Sequence, residues 1–358
     1  TMPDALDLHA RLAQFVARGV ASVVMEASSI GLDQARLSGA QPVIAVLTNL
    51  SRDHLDYHAG MEAYAQAKLR LFAMAGLEAA VLNAGDALSI AARAVLPAGC
   101  RVLAYGERPF CLDAPDAEWL LAERIEEHAE GLTLTVGGDL GHARIHTPVL
   151  GRFNALNLLA VAGAWIASGV TFDEAMHRLS ELKPVTGRLE RIEASAVPAT
   201  GAASSQPCVV VDYAHTPDAL SQVLAALRPT ARARGGRLWC VFGAGGDRDA
   251  GKRALMGAAA CAGADRIVVT SDNPRSESPE AIIAAIVSGM SRPPDRVEPD
   301  RARAIAVVLD QAAPADVVLI AGKGHEAWQE FADRRVEFSD AREARAALAR
   351  RAPGACNA

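Results

Sequence analysis

Apolar positions along this chain recur in two rhythms. Between Asp4 and Ala17 they fall at Leu8, Leu12, Phe15 and Val16, which is one face of a helix. Val20–Met25, Val43–Leu47 and Ala79–Asn83 are short apolar runs instead, and each predicts a buried parallel strand. A helix is expected over Met61 to Ala75. This alternation implies a doubly wound α/β sheet. Residues 100–150 break the rhythm: short β-like pieces such as Leu132–Val136 sit among Gly, Pro and His, which predicts an antiparallel excursion. Asn154 to Ser168 reads as an alanine-rich helix. Pro184 and Gly187 then punctuate the chain. Residues 194–207 are small, polar and Pro/Gly-rich, and read as an exposed loop. A second α/β unit follows, with strands at Cys208–Val211, Leu238–Phe242, Ile267–Thr270 and Val317–Ala321, and helices beginning at Pro217, Lys252, Pro279 and Arg301.

Composition narrows the function classes. A chain of 358 residues exceeds one typical domain. Its 51% hydrophobic content suits a sizeable core. A net charge of −6 argues against a general nucleic-acid surface. No apolar run approaches the ~20 residues that span a membrane. The six cysteines form no C-x-x-C pair, so neither a disulfide framework nor a zinc knuckle is indicated. The opening residues lack the layout of a signal peptide, and a cytoplasmic location is expected.

Chemistry-bearing residues gather after the predicted strands, where parallel sheets place their ligands. The one near match to a phosphate loop is Gly246–Lys252, but Arg253 follows where Ser or Thr must hold magnesium, and Asp247 and Asp249 would repel phosphate. It is a Gly-rich turn entering a helix, with Arg248 available to an anion, and the chain contains no complete triphosphate cradle. Asn49–His58 packs two aspartates, two histidines and an arginine into ten residues; the plain alternative is a solvated turn with a helix cap. Glu26 follows the run Val20–Met25, and carboxylate and imidazole from adjacent strand ends can share Mg²⁺. A helix-capping role explains Glu26 equally well. Asp212–Pro217 contains a good helix start at Thr216 and Pro217, which leaves Asp212 and His215 unexplained. Ser271–Arg275 and Gly322–Glu326 each set opposed charges at a strand end. With Arg248 they read as a pocket for a zwitterion, since Arg grips a carboxylate and Asp or Glu an ammonium.

The stretches MEASSIGLDQARL, TNLSRDHLDYH with MEAYAQAKLRLF, GRFNALNLLAVAG, VTGRLERI, VVDYAHTPDAL, VFGAGGDRDAGKR, TSDNPRSESP and AGKGHE together resemble the bacterial Mur ligases, in order and over essentially the whole chain. The resemblance implies a fold: a central ATPase domain over 1–185, mostly parallel sheet with helices and lacking its opening and phosphate loop, then a Rossmann-like amino-acid-binding domain over 186–358. It implies ATP-dependent amide ligation in peptidoglycan precursor synthesis, through an acyl phosphate, by a monomer that uses ATP and Mg²⁺ and engages neither nucleic acid nor membrane.

Residue roles follow from the same resemblance. Lys68 matches a lysine that the family carbamylates; on periodicity alone it is an exposed helix charge. Glu26 and His54 match magnesium ligands beside it. Thr1, Ser28, Gln34 and Arg36 match contacts to UDP-N-acetylmuramoyl-L-alanyl-D-glutamate, and Met2 stands where a second threonine is usual. Asn154, Asn157, Arg188 and Asp212 match residues near ATP, with Arg188 at the phosphates, so that Lys68, His54 and Arg188 form the implied catalytic set. Arg248, Asp272, Asn273, Pro274, Arg275, Gly322 and Glu326 match the pocket for the added amino acid. The D-N-P-R string marks members that add meso-diaminopimelate. Arg275 can hold the distal carboxylate of that substrate with two hydrogen bonds, and lysine has no such group. Competing readings are a non-catalytic chain that keeps only amino-acid binding, and a ligase of the folylpolyglutamate synthetase kind. A dinucleotide-dependent dehydrogenase is disfavoured because no G-x-G-x-x-G follows the first strand.

Overall fold

The computed structural model describes residues 2–128, 131–193 and 206–351, so Thr1 and nearly all of the expected loop at 194–207 lie outside the described residues. The chain divides into two compact units. The first comprises Thr1–Glu126, Thr133–Thr147 and Phe153–Glu181, and the second Glu127–Leu132, Pro148–Arg152 and Leu182–Ala358.

Unit 1 opens with α1 (Ala5–Ala17), capped by the Asp4 side chain, and the short α2 (Ser29–Asp33), capped by Ser28. Then come β1 (Ile44–Leu47), α3 (Met61–Phe72), β2 (Ala79–Asn83), α4 (Leu88–Ala94), β3 (Arg101–Gly106), β4 (Glu118–His128), β5 (Gly131–Gly137), β6 (Ala143–Thr147), α5 (Arg152–Ala167) and α6 (Phe172–Glu181). The sheet runs β1-β2-β3-β4-β5-β6, and β1 to β4 pair in parallel. Every residue of β2 is buried, as a strand covered on both faces requires. The parallel part therefore extends two strands further than expected, through β3 and β4, into the stretch 100–150 read as an antiparallel excursion. β5 and β6 follow by connections too short for a crossover, so the antiparallel excursion begins there. Helix α5 lies close on β2: a Cβ on Gly163 would come within 2.6 Å of Val81 Cγ1.

One expected strand is absent. Val20–Met25 joins neither sheet, and Val24 is 98% exposed. An apolar run becomes a strand only where a neighbour supplies ladder partners. β1, the obvious neighbour, stands at the sheet's edge with Val46 partly exposed. The helix expected to reach Ala75 ends at Phe72 and continues as a turn.

Unit 2 contains β7 (Glu190–Ile192), β8 (Cys208–Asp212), α7 (Pro217–Ala233), β9 (Leu238–Phe242), α8 (Gly251–Gly263), β10 (Arg266–Val269), α9 (Pro279–Val287), β11 (Arg296–Val297), α10 (Arg301–Gln311), β12 (Val317–Ala321), the hairpin β13 (Trp328–Glu330) and β14 (Arg335–Glu337), and α11 (Asp340–Arg351). Its sheet runs β11-β10-β9-β12-β8-β7, parallel except for β7. β8, β9 and β12 are wholly buried. Helix starts were legible from their caps: Thr216, Ser278 and Asp300 accept from the N–H three residues on, and Pro217 and Pro279 occupy first helical positions.

Candidate active site

In unit 1 the polar residues gather around α3. Tyr64 and Lys68 stand one turn apart, with Lys68 Nζ 5.1 Å from the Tyr64 ring centre. Lys68 is half-buried, not the exposed helix charge that periodicity implies. Burial pushes its ammonium below the ordinary lysine value, and Glu26, Asp53 and Asp86 oppose that shift without cancelling it. Burial, then Asp53 and Glu26, pushes the Tyr64 hydroxyl up to about 12. Asp86 is fixed by the N–H groups of Leu50 and Leu88, both at 2.8 Å. His54 adopts a left-handed backbone (φ +56°), and its Nε2 lies 3.8 Å from Asp53 Oδ2. His58 is buried, shares a 3.0 Å hydrogen bond with Ser29 Oγ and stacks on Tyr64, so it braces the cluster from behind.

Among the described residues no three His, Cys, Asp or Glu side chains are grouped to hold a metal ion. Exposed Glu26 and half-buried His54 alone are a thin donor set. A carbamate on Lys68 would add two oxygens, and its formation needs the neutral amine that burial favours.

The residues expected to meet the UDP-linked substrate sit around α2. Ser28 Oγ accepts from Gly31 N at 3.2 Å. Gln34 Oε1 accepts from Arg36 Nε and Nη2, and Arg36 Nη1 donates to Met2 O at 2.7 Å. Met2 is buried against Gly31, so in place of a hydroxyl it contributes packing. Thr1 lies outside the described residues. On α5, Asn157 Nδ2 donates to Asn154 Oδ1 at 2.8 Å, which brings that pair together on one face.

In unit 2 the Arg188 guanidinium is exposed and lies 4.4 Å from the Tyr213 ring centre. Asp212 is buried at the end of β8. Its Oδ2 accepts from Leu189 N at 2.8 Å and its Oδ1 from Ala214 N at 2.7 Å. Burial raises its pKa, while those two bonds, Arg188 and His215 act the other way. Asp212 therefore already clamps the strand end, whatever else it touches.

The remaining candidates converge at the C-terminal ends of β9, β10 and β12. Asn273 Nδ2 donates to Glu326 Oε2 at 2.9 Å, and its Oδ1 accepts from Lys323 Nζ and Glu330 N. Asp272 Oδ1 accepts its neighbour's N–H, and a Cβ on Gly322 (φ +117°) would come within 2.6 Å of Asp272 Oδ2. Arg275 Nη1 donates to Gly246 O, and its Nε lies 3.3 Å from Glu330 Oε2. Pro274 O packs on Gly246, where any Cβ would collide with it. Arg248 is exposed beside them and donates to Asp247 O. The Gly-rich turn is not a phosphate cradle: Asp247 is turned into Ser276, Lys252 is buried, and Arg253 forms a double hydrogen bond to Glu277.

Sequence reasoning missed several residues here. Lys323 has no exposed side-chain surface. Arg301 and Asp340 form a fully buried pair, and Arg301 also donates to Ser271 O and Ala321 O, so it ties the β10 and β12 ends together. Gln329 donates to Ser271 Oγ and Asp272 O. Only Lys323 left a usable signal, a lysine between glycines directly after an apolar strand.

Residues 1–165 match the Mur ligase middle domain, and residues 187–324 match the Mur ligase glutamate ligase domain. A UDP-N-acetylmuramoyl-L-alanyl-D-glutamate–2,6-diaminopimelate ligase of Acidovorax sp. (strain JS42) is 48% identical over 352 residues, covering 98% of this chain and 67% of that protein. The enzyme of the same name from Ralstonia nicotianae is 46% identical over 98% of this chain and 67% of its own length. A solved structure of a ligase with this name is 39% identical, covers 97% of this chain and 68% of its own, and superposes with a TM-score of 0.60. A pseudomurein peptide ligase type C from Methanothermus fervidus, 18% identical, shares the fold over 81% of this chain and 62% of its own, with a TM-score of 0.60. The chain thus spans about two thirds of its relatives' length. With both domain matches in order and identity near one half, the chain belongs to the Mur ligases.

Proposed function

We propose that this chain carries the ligation chemistry of an ATP-dependent enzyme that joins meso-diaminopimelate to UDP-N-acetylmuramoyl-L-alanyl-D-glutamate in the cytoplasm. The observation that carries the amino-acid assignment is the cluster Asn273–Arg275–Glu326 at the strand ends of unit 2. Asn273 bonds Glu326 through its amide nitrogen and Glu330 N through its amide oxygen, and the Glu330 carboxylate faces Arg275. A guanidinium and the Glu326 carboxylate are thus linked through Asn273 and Glu330, which suits a substrate bearing carboxylates and ammoniums at both ends. The γ-carboxylate of the D-glutamate attacks the γ-phosphate of ATP, giving an acyl phosphate and ADP. The amine then attacks the acyl carbon, loses its proton and expels phosphate.

Both steps depend on in-line positioning and charge neutralisation. Mg²⁺, when bound, neutralises phosphate charge, and carbamylated Lys68 with Glu26 and His54 would hold it. Arg188 offers a cation to the phosphates. Ser28, Gln34 and Arg36 are the residues assigned to the muramoyl dipeptide, and Asn154, Asn157 and Asp212 those assigned to the nucleotide. Arg248, Asp272, Asn273, Pro274, Arg275, Gly322 and Glu326 hold the incoming amino acid. Amide formation followed by chromatography, with meso-diaminopimelate and L-lysine offered in parallel, tests the reading. Product with diaminopimelate alone is expected; preference for lysine would overturn the assignment.

A further inference from the structure

We infer that Lys323 is a positioning residue for the incoming amino acid, fixing Asn273 and Glu326 in the orientation that receives it. The inference rests on the amino-acid pocket proposed above.

Lys323 follows β12, and its side chain has no exposed surface. Its Nζ donates to Asn273 Oδ1 and to Glu326 Oε2, both at 2.8 Å. A buried ammonium is costly unless paired and hydrogen-bonded, so this geometry is specified by its two partners. An asparagine amide can sit either way round. Here Oδ1 receives two donors, Lys323 Nζ and Glu330 N, and this forces Nδ2 toward Glu326 Oε2. Glu326 Oε2 is thereby used twice, and Oε1 keeps no hydrogen bond among the described residues. Glu326 is a third exposed, so Oε1 is the oxygen left to a ligand ammonium. Without Lys323 the amide loses one of the donors that set its orientation, and Glu326 loses the cation that holds it.

The test is calorimetric titration of the full chain with meso-diaminopimelate and, separately, with a non-hydrolysable ATP analogue. Lys323→Met is expected to weaken diaminopimelate binding at least tenfold and to leave the nucleotide within twofold. In an Asn273→Ala background the same substitution is expected to have little further effect, because its action passes through the amide. Unchanged diaminopimelate affinity, equal losses for both ligands, or fully additive losses would each overturn the inference. The chain has four lysines, Lys68, Lys183, Lys252 and Lys323. In wild-type protein the buried Nζ can therefore be followed by ¹⁵N resonance and assigned by its contacts to Asn273, whether or not the variant folds. It is expected to shift on adding diaminopimelate and to stay on adding nucleotide; a resonance unmoved by diaminopimelate overturns the inference. A wild-type chain that takes no diaminopimelate removes the substrate reading and the inference with it. Wild-type binding with an unaffected Lys323→Met removes the inference alone.

Discussion

Arg275 Nε lies 3.3 Å from Glu330 Oε2 while Arg275 Nη1 donates to Gly246 O at 2.7 Å, so the guanidinium is held from two sides and Nη2 remains available. The Arg275 backbone is left-handed (φ +51°), a conformation that side chains such as this adopt only when the surroundings impose it. Arg275→Ala should weaken diaminopimelate by roughly 10- to 100-fold, the equivalent of charge-assisted hydrogen bonds worth about 1.5–3 kcal/mol. Lysine, with no distal carboxylate, should bind as before. Competitive titration with the two amino acids reads the difference.

Carbamylation of Lys68 needs a neutral amine, and burial supplies it at lower pH than usual. A ¹³C resonance from labelled bicarbonate should grow as pH rises and be absent in Lys68→Arg, which should also lose about 100-fold or more in turnover. Because the folded lysine releases its proton earlier than the unfolded one, the unfolded chain binds more protons between the depressed value and 10.5. Stability from this group therefore rises with pH through that window and falls as pH drops. Thermal melts of wild type against Lys68→Met across the alkaline range measure the difference.

The Arg301–Asp340 pair has no exposed side-chain surface on either partner. Removing one partner leaves a buried charge alone, so Arg301→Met should cost about 3–5 kcal/mol. Replacing both with apolar residues should recover much of that loss. Denaturant unfolding of the two variants decides.

Gly322 has φ +117° and no room for a Cβ beside Asp272. Gly322→Ala should cost about 1–3 kcal/mol in strain and displace Asp272, so diaminopimelate binding should weaken along with the melting temperature.

The exposed run Val20–Met25 joins neither sheet. Brief elastase treatment should cut there before it cuts β8, β9 or β12, whose residues are all buried. Terminal sequencing of the first fragments checks this.

Much of unit 2 was legible from local signals. Its strands are unbroken apolar runs, and Thr216–Pro217 and Ser278–Pro279 announce helices by chemistry that needs no tertiary context. Val20–Met25 misled because composition describes a strand's surface, not its neighbours. The candidate loops were legible because they follow those strands. Their connections were not: nothing local pairs Arg301 with Asp340, or Lys323 with Asn273, since these contacts exist only once strand order is set. The burial of Lys68 was hidden for the same reason.

β12 stands between β9 and β8, although it is the last strand of that sheet to leave the ribosome. A nascent chain that has reached Asp316 holds β8 and β9 with raw inner edges and nothing to join them. Order of synthesis and order in space are opposed. The sheet gains its middle only after Ala321, so unit 2 assembles late and as one cooperative event. The same strand delivers Gly322, Lys323 and Glu326, so the pocket proposed for the amino acid comes into being at the moment the sheet does.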